Sequence, residues 1–298
     1  MSLRVVTLNQ DAIGKKLGQK LFNSKGGLLL GNGTEIKEFH FSHITQVGYK
    51  SIYVVDDVED IMDINGHIIS EKARALIPIE LRNTFKKLMS PNKVTISEGK
   101  KDLSELADSL LRQVDHRLEA PLDILDLKRE EDYFYQHAIN VTAYAILIGQ
   151  RMQYHQIKMF DLALSALLYD FGMQFIDPEI LNKPGELDES EYDEVKKHTG
   201  LGFRHLSREC FMKGIVSAVA LQHHERYDGS GYPNGMSGEN IHEYSRIVAV
   251  CDFYDAYTSD RPHRQLHSIE DAVTYLMSQS NREFDPNVVR HFVQYFNM

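Results

Sequence analysis

Apolar residues recur every three or four positions along most of the chain beyond residue 101, as in helices that bury one face. In the first such stretch, residues 102–120, one face carries Leu103, Leu106, Leu110 and Val114. The same period is found over residues 137–152, 161–170, 214–226 and 245–257. The pattern predicts a mainly helical domain over residues 101–298, with a turn and a capped helix at residues 177–198.

The first 90 residues show a different pattern. Short β-prone runs at residues 26–36 and 49–58 are bounded by Gly, Asn and Asp, and residues 39–48 between them favour a short helix. Residues 89–102 are polar, contain Pro and Gly and show no sustained period, which is typical of a linker. We therefore expect a small α+β module with its linker over residues 1–100.

Composition and charge restrict the classes of function. Apolar runs fall short of the roughly 20 residues that cross a bilayer, and the N-terminus lacks the features of a secretory signal, so a cytoplasmic location is expected. A net charge of -10 argues against binding to duplex nucleic acid, because such binding depends on basic surfaces. Cys210 and Cys251 lie in apolar surroundings without CxxC spacing, so they are interpreted as core residues.

Several polar side chains interrupt the apolar faces of the predicted helices. Eleven of the 14 histidines follow residue 115, and His137, Asp170 and Asp252 each share a helical face with apolar residues. A buried carboxylate costs several kcal/mol unless it is paired or binds a cation. His223 and His224 are about 100° apart around a helix, so both could reach one ion at its end. Metal binding is therefore one interpretation of this pattern.

Other interpretations of the same residues stay open at this point. Each histidine could be a hydrogen-bonded core residue, and the segment from His223 to Glu225 could cap a helix. The glycine-rich sequence "DGSGYPNG" at residues 228–235 has the residue types that turns require. Spacing alone does not decide between a metal site and ordinary structure.

Five ordered motifs make the choice more specific. They are "YQHAINV", "ALLYDFG", "IDPEILNKPGELDESEYDEVKKHTGLG", "HHERYDGSGYPNG" and "IVAVCDFYDAYTSDRPHR". Together they resemble the HD-GYP family, metal-dependent phosphohydrolases that hydrolyse cyclic-di-GMP, over roughly residues 103–298. The resemblance implies an HD-type helical bundle around a dinuclear metal site, preceded here by the small α+β module.

The resemblance also implies a set of ligands. His137 and Asp252 are expected to bind one ion, and Asp170 to bridge it to a second ion bound by His198, His223 and His224. Two divalent ions, iron or manganese, suit these ligands, although the same set would accept zinc. Such a pair activates a bridging water for attack on the phosphate, which would convert cyclic-di-GMP to pGpG or GMP. Asp170 is the expected catalytic residue.

Two further expectations concern substrate and partner contacts. Arg261 and Arg264 resemble the family's phosphate contacts, since guanidinium groups suit phosphate oxygens, although a solvated charged loop is an equal alternative. Tyr232 and Pro233 of the GYP loop would offer a rigid edge to partner proteins, including diguanylate cyclases with a GGDEF domain.

The chain departs from the family pattern at four positions. Tyr169 replaces the histidine of the His-Asp pair, Met173 replaces a lysine, and His263 replaces a tyrosine. Tyr133 stands where some members have a glutamate for a third ion, so two ions are expected. Tyr169 could bind as a phenolate, leave a position to water, or weaken the first ion. A catalytically weak or inactive protein that signals through the GYP loop is therefore the alternative function, followed by hydrolysis of another phosphoester.

Overall fold

The computed structural model describes residues 4–23, 25–49, 51–55, 69, 71–114, 133–183, 185–259 and 267–296. Its contacts divide the chain into two compact units. One unit comprises Met1–Asn83 and Ala120–Gln136, and the other comprises Thr84–Glu119 and His137–Met298. The residues of the candidate site described below lie in the second unit.

The first unit contains short strands around one helix. Strand β5 (Ser51–Val55) pairs antiparallel with β1 (Arg4–Thr7) on one side and with β2 (Lys16–Leu17) on the other. Strands β3 (Leu21–Phe22) and β4 (Leu28–Leu30) form a second antiparallel pair. Helix α1 (Glu38–Gln46) buries Ile44 among core residues that include Leu17, Leu21 and Ile52. The expected small α+β module is therefore confirmed.

The rest of the described chain is mainly helical. The apolar period predicts the helices beyond residue 101 but not the helix Glu71–Leu88, which lies in the range expected to form the α+β module. The helices are α2 (Glu71–Leu88), α3 (Lys93–Gln113), α4 (Tyr133–Arg151), α5 (Gln156–Leu168), α6 (Pro178–Leu181), α7 (Glu189–Lys196), α8 (His198–Arg208), α9 (Gly214–Gln222), α10 (Glu243–Thr258), α11 (Ile269–Ser278) and α12 (Pro286–Val293). Among the described residues, no helix combines the length and apolar character that crossing a bilayer requires. Cys210 and Cys251 are buried, as expected.

The predicted linker over residues 89–102 is mostly wrong. Helix α3 begins at Lys93, where the side chain of Asn92 accepts a hydrogen bond from the backbone of Val94 at 2.8 Å. Its buried face includes a glycine, Gly99, whose added Cβ would lie 2.9 Å from Cβ of Lys87 on α2. Because glycine is not counted as an apolar residue, the apolar period of α3 is interrupted at Gly99 and the helix is not recognised there.

Close backbone packing places the end of α5 against α8. Asp170 follows α5 and precedes a 3-10 turn, Phe171–Phe175. A Cβ at Gly172 in this turn would lie 1.9 Å from the carbonyl oxygen of His198 and 2.8 Å from the nitrogen of Gly202. Because glycine has no Cβ, the turn can approach the first residues of α8, and Asp170 comes to lie next to His198.

Candidate metal centre

Four of the six predicted ligands lie together, each at the end of a helix. Asp170 follows α5, His198 begins α8, and His223 and His224 follow α9. Each contributes one nitrogen or oxygen atom to a group in which all atoms lie within 4.8 Å of one another. His198 and His223 are each 1% exposed, so these two rings are shielded from bulk water, whereas His224 is only partly buried.

Backbone carbonyls fix the orientation of two imidazoles. The Nδ1 atoms of His198 and His223 lie 2.7 Å from the oxygen of Val195 and 3.2 Å from that of Val219. A carbonyl only accepts, so each Nδ1 donates, and in the neutral ring Nε2 then carries the lone pair. The two Nε2 atoms are 3.2 Å apart. Facing lone pairs at this distance need a proton or a cation between them.

Asp170 adds negative charge to the same point. Its Oδ1 atom lies 3.3 Å from Nε2 of His198 and 3.4 Å from Nε2 of His223. This oxygen is buried and accepts no aligned hydrogen bond from the described residues. Burial raises the pKa of Asp170, but His198 and His223 outweigh it and hold that pKa well below its usual range. Asp170 is therefore a carboxylate with an unsatisfied oxygen, which a cation would satisfy.

The imidazoles differ in how readily they take a proton. Burial and nearby His223 lower the pKa of His224 well below its usual value, so this ring is neutral and free to act as a ligand. Burial lowers the pKa of His198, but Asp170, with smaller contributions from the Val195 carbonyl and Asp252, raises it overall. A metal ion would take the place of a proton on His198. Three imidazoles and one carboxylate thus fit a divalent cation.

The other two predicted ligands belong to a neighbouring hydrogen-bonded network. Nε2 of His137 on α4 lies 2.9 Å from Oδ1 of Asp252 on α10, and its Nδ1 lies 2.6 Å from Oδ2 of Asp255. Asn140 donates to the second oxygen of Asp255 at 2.8 Å. Burial lowers the pKa of His137, but the two carboxylates raise it to about 9. In this arrangement His137 is an imidazolium between two carboxylates.

Tyr169 connects the network to the cluster. Its hydroxyl donates to Oδ1 of Asp252 at 2.8 Å, and its ring packs edge-on against His223 at 4.9 Å between centroids. Burial raises the pKa of Tyr169 well above its usual value, and the charges of Asp252 and Asp170 raise it further. Tyr169 is therefore a neutral phenol here, and it directs its hydrogen to an oxygen that was expected to bind a metal ion.

Sequence reasoning missed two members of this network. Asp255 is 2% exposed and Asn140 is fully buried. A carboxylate on the second nitrogen of a histidine fixes its ring orientation, as is common around metal ligands. A signal was present in the sequence, because Asp255 follows Asp252 by three residues and Asn140 follows His137 by three, which places each pair on one helical face.

The remaining predicted residues have different outcomes. Arg261, His263 and Arg264 lie outside the described residues. Pro233 is exposed, but Tyr232 is only half exposed, since its ring stacks on that of His224 with 4.7 Å between centroids. The GYP loop therefore contacts the cluster directly through Tyr232, instead of presenting that side chain wholly to partners.

Glu225 holds the GYP loop. Among the described residues, its side chain does not cap a helix. It is 2% exposed, and its two oxygens accept hydrogen bonds from the backbone of Asn234 at 2.8 Å and of Met236 at 2.9 Å. The loop also packs closely on the chain before it, because a Cβ at Gly231 would lie 2.3 Å from the nitrogen of Arg226. Glu225 thus ties the loop to the segment that carries the adjacent histidines.

Replacing Glu225 with alanine should lower the free energy of unfolding by about 3 kcal/mol, because two hydrogen bonds to a charged acceptor are lost. Urea denaturation of the wild type and the Glu225→Ala variant measures the difference. The control is Glu239→Ala, which removes an exposed glutamate and should change the free energy by less than about 0.5 kcal/mol. Equal effects of the two substitutions would show that Glu225 does not hold the loop.

Parts of this chain are similar in sequence to known proteins. A sequence profile described as HD domain matches residues 119–288, which is more than half of the chain. The cyclic di-GMP phosphodiesterase PA4108 of Pseudomonas aeruginosa is 37% identical over 64% of this chain and 46% of its own length. The cyclic di-GMP phosphodiesterase response regulator RpfG of Xanthomonas campestris is 39% identical over 48% of this chain and 38% of its own length. The chain thus spans less than half of either relative.

A solved structure supports the fold. The structure of Bd1817, an HDG"Y"P protein from Bdellovibrio bacteriovorus, aligns over 100% of both chains with a TM-score of 0.62 and 15% identity. At this identity the similarity concerns the fold alone. On the evidence of the matched profile, the chain belongs to the HD domain family.

Proposed function

We propose that this protein hydrolyses a cyclic dinucleotide, cyclic-di-GMP, at a divalent metal centre, with pGpG or GMP as the product. The observation that carries the proposal is the convergence of Asp170, His198, His223 and His224 around one point. The names of similar proteins support the substrate class, since several are cyclic di-GMP phosphodiesterases and another is a 3'3'-cGAMP-specific phosphodiesterase.

The side chains of the centre have distinct roles in this proposal. Iron or manganese held by the four-residue cluster, with a second ion at His137 and Asp252, would supply an activated water and neutralise phosphate charge. Asp170 contributes the carboxylate of the four-residue cluster. Val195 and Val219 accept from the Nδ1 atoms of His198 and His223, so each ring presents Nε2 without a rotational search. Burial of these rings excludes competing water.

The two metal positions are unequal. The cluster offers four donor atoms, whereas the second position has lost the histidine that Tyr169 replaces. Tyr169 also donates to Oδ1 of Asp252, so a cation there must displace a hydrogen bond as well as the proton on His137. We therefore infer that the second ion binds more weakly than the first.

The hydrogen bond from Tyr169 to Asp252 also favours an alternative function. If the second position stays empty in the cell, the protein would be a weak or inactive phosphodiesterase that binds one metal ion and signals through its GYP loop. The exposed Pro233 is one part of that loop available to a partner such as a GGDEF-domain protein. Met173, at the position of an expected lysine, removes a cation that would stabilise the transition state.

Turnover separates the two functions. Protein reconstituted without oxygen with ferrous iron or manganese should convert cyclic-di-GMP to pGpG or GMP, resolved by chromatography. The Tyr169→His variant should bind closer to two metal ions per chain and turn over at least about tenfold faster, because a ligand is restored.

Two controls define the result. Tyr169→Phe removes the hydrogen bond to Asp252 without adding a ligand, so it should not reproduce the gain in turnover. Phosphorus NMR of the mixture identifies any other phosphoester that is cleaved. If both the wild type and Tyr169→His carry metal and form no product, the phosphodiesterase proposal is wrong and the signalling alternative stands.

A further inference from the structure

A cavity of about 290 Å³ lies beside the metal centre. His224 belongs both to the four-residue cluster and to the wall of this cavity. Small-molecule sites range from about 300 to 1,000 Å³, so this volume lies just below that range and suits part of a ligand. A ligand whose phosphate lies at the metal centre would therefore place one of its bases here, with the remainder outside.

Aromatic rings form part of the wall. Tyr232 is held by its stacking on His224, with 26° between the two ring planes. Tyr192 also lines the cavity, and the ammonium group of Lys196 lies 4.5 Å from its ring centroid. Stacking of a base on an aromatic side chain contributes about 1–3 kcal/mol and does not depend on the base. The tyrosines thus suit a nucleobase but do not select one.

A donor and an acceptor stand side by side in the same wall. Nε of Arg226 lies 3.6 Å from Oε2 of Glu283, which is too long for a hydrogen bond but close enough for an ion pair. Tyr275 donates to the other oxygen of Glu283 at 2.8 Å. The backbone of Tyr227 donates to the carbonyl of Glu283 at 3.1 Å, which joins the two segments that carry the pair. Both groups are therefore held in position before any ligand arrives.

We propose that this cavity binds a guanine base of the substrate, with Arg226 donating to O6 and Glu283 accepting from N1–H and N2–H. The inference rests on the proposed function and deepens it. Guanine presents an acceptor next to two donors, which matches a guanidinium next to a carboxylate. Adenine presents its amino donor next to the N1 acceptor, so it would set a donor against Arg226 and an acceptor against Glu283.

Binding of ligands that resist hydrolysis tests the assignment. The metal-loaded protein should bind the phosphorothioate analogue of cyclic-di-GMP at least about tenfold more tightly than that of cyclic-di-AMP, as one bidentate contact is worth about 1–3 kcal/mol. The Glu283→Gln substitution keeps the side-chain volume and should reduce this preference to less than about threefold. The control Glu270→Gln, an exposed residue outside the cavity wall, should leave it unchanged.

Two results would overturn the assignment while the phosphodiesterase proposal stands. One is equal affinity of the wild type for both analogues, and the other is an unchanged preference in Glu283→Gln. Binding of neither analogue by metal-loaded wild-type protein would overturn the guanine site and the proposed function together.

Discussion

Replacement of Asp170 with alanine should reduce metal affinity and turnover of cyclic-di-GMP by more than about 100-fold each, since loss even of a residue that only orients a ligand costs about 10–100-fold. Asp170 is the only carboxylate of the four-residue cluster, and its Oδ1 lies within 3.4 Å of two imidazole nitrogens. Without it, three imidazoles face one another with no negative charge to offset a cation. Metal content by mass spectrometry and product formation by chromatography give the two measurements.

Asp161→Ala is the matched control for this substitution. Asp161 lies on α5, which Asp170 follows, and its side chain is 14% exposed, but its partner is Lys213, outside the cluster. Its loss should change the free energy of unfolding by about 1 kcal/mol or less and leave metal content intact. Full metal content in Asp170→Ala would contradict the assigned role of Asp170.

Replacement of Gly172 with alanine should have the second largest effect, because it disturbs the backbone packing that places Asp170 next to His198. The new Cβ would lie 1.9 Å from the oxygen and 2.7 Å from the carbon of the His198 carbonyl group. Both atoms belong to the backbone, so a side-chain rotation cannot relieve the clash. We expect the free energy of unfolding to fall by about 3 kcal/mol and metal affinity to fall with it, as α8 moves away from Asp170.

Gly200→Ala provides the comparison within α8. The nearest atom to a Cβ at Gly200 would be a side-chain nitrogen of Arg204, 3.9 Å away. Alanine favours a helix more than glycine does, so this variant should be as stable as the wild type or more stable by up to about 1 kcal/mol. Chemical denaturation and metal titration of both variants distinguish the cases. A Gly172→Ala protein with wild-type stability and metal affinity would refute the packing argument.

The helical architecture was predictable where apolar residues mark the buried face. Apolar residues in α5, α9 and α10 follow the expected period, and these three helices are observed. The beginning of α3 was missed because Gly99 contacts α2 closely while charged residues cover the other face. The apolar period detects buried apolar side chains, but it does not detect a close helix contact at a glycine, which has no side chain.

The candidate site was predictable only in part, because its contacts join residues that are distant in the sequence. Periodicity indicated that Asp170 and His137 face inward, and the family motifs indicated the ligand set. Neither shows that Tyr169 donates to Asp252, or that Asp255 contacts the far side of His137. These contacts depend on the packing of α4, α5 and α10, which no local pattern encodes. The roles of Arg261 and Arg264 stay predictions.

The central claim is that Asp170, His198, His223 and His224 bind a divalent metal ion. Diffraction at the manganese absorption edge, from crystals of the full chain grown with manganese, tests this claim most directly. The strongest anomalous peak should lie among these four side chains, with a weaker peak or none between His137 and Asp252. No peak among the four residues in crystals whose protein carries manganese would contradict the account.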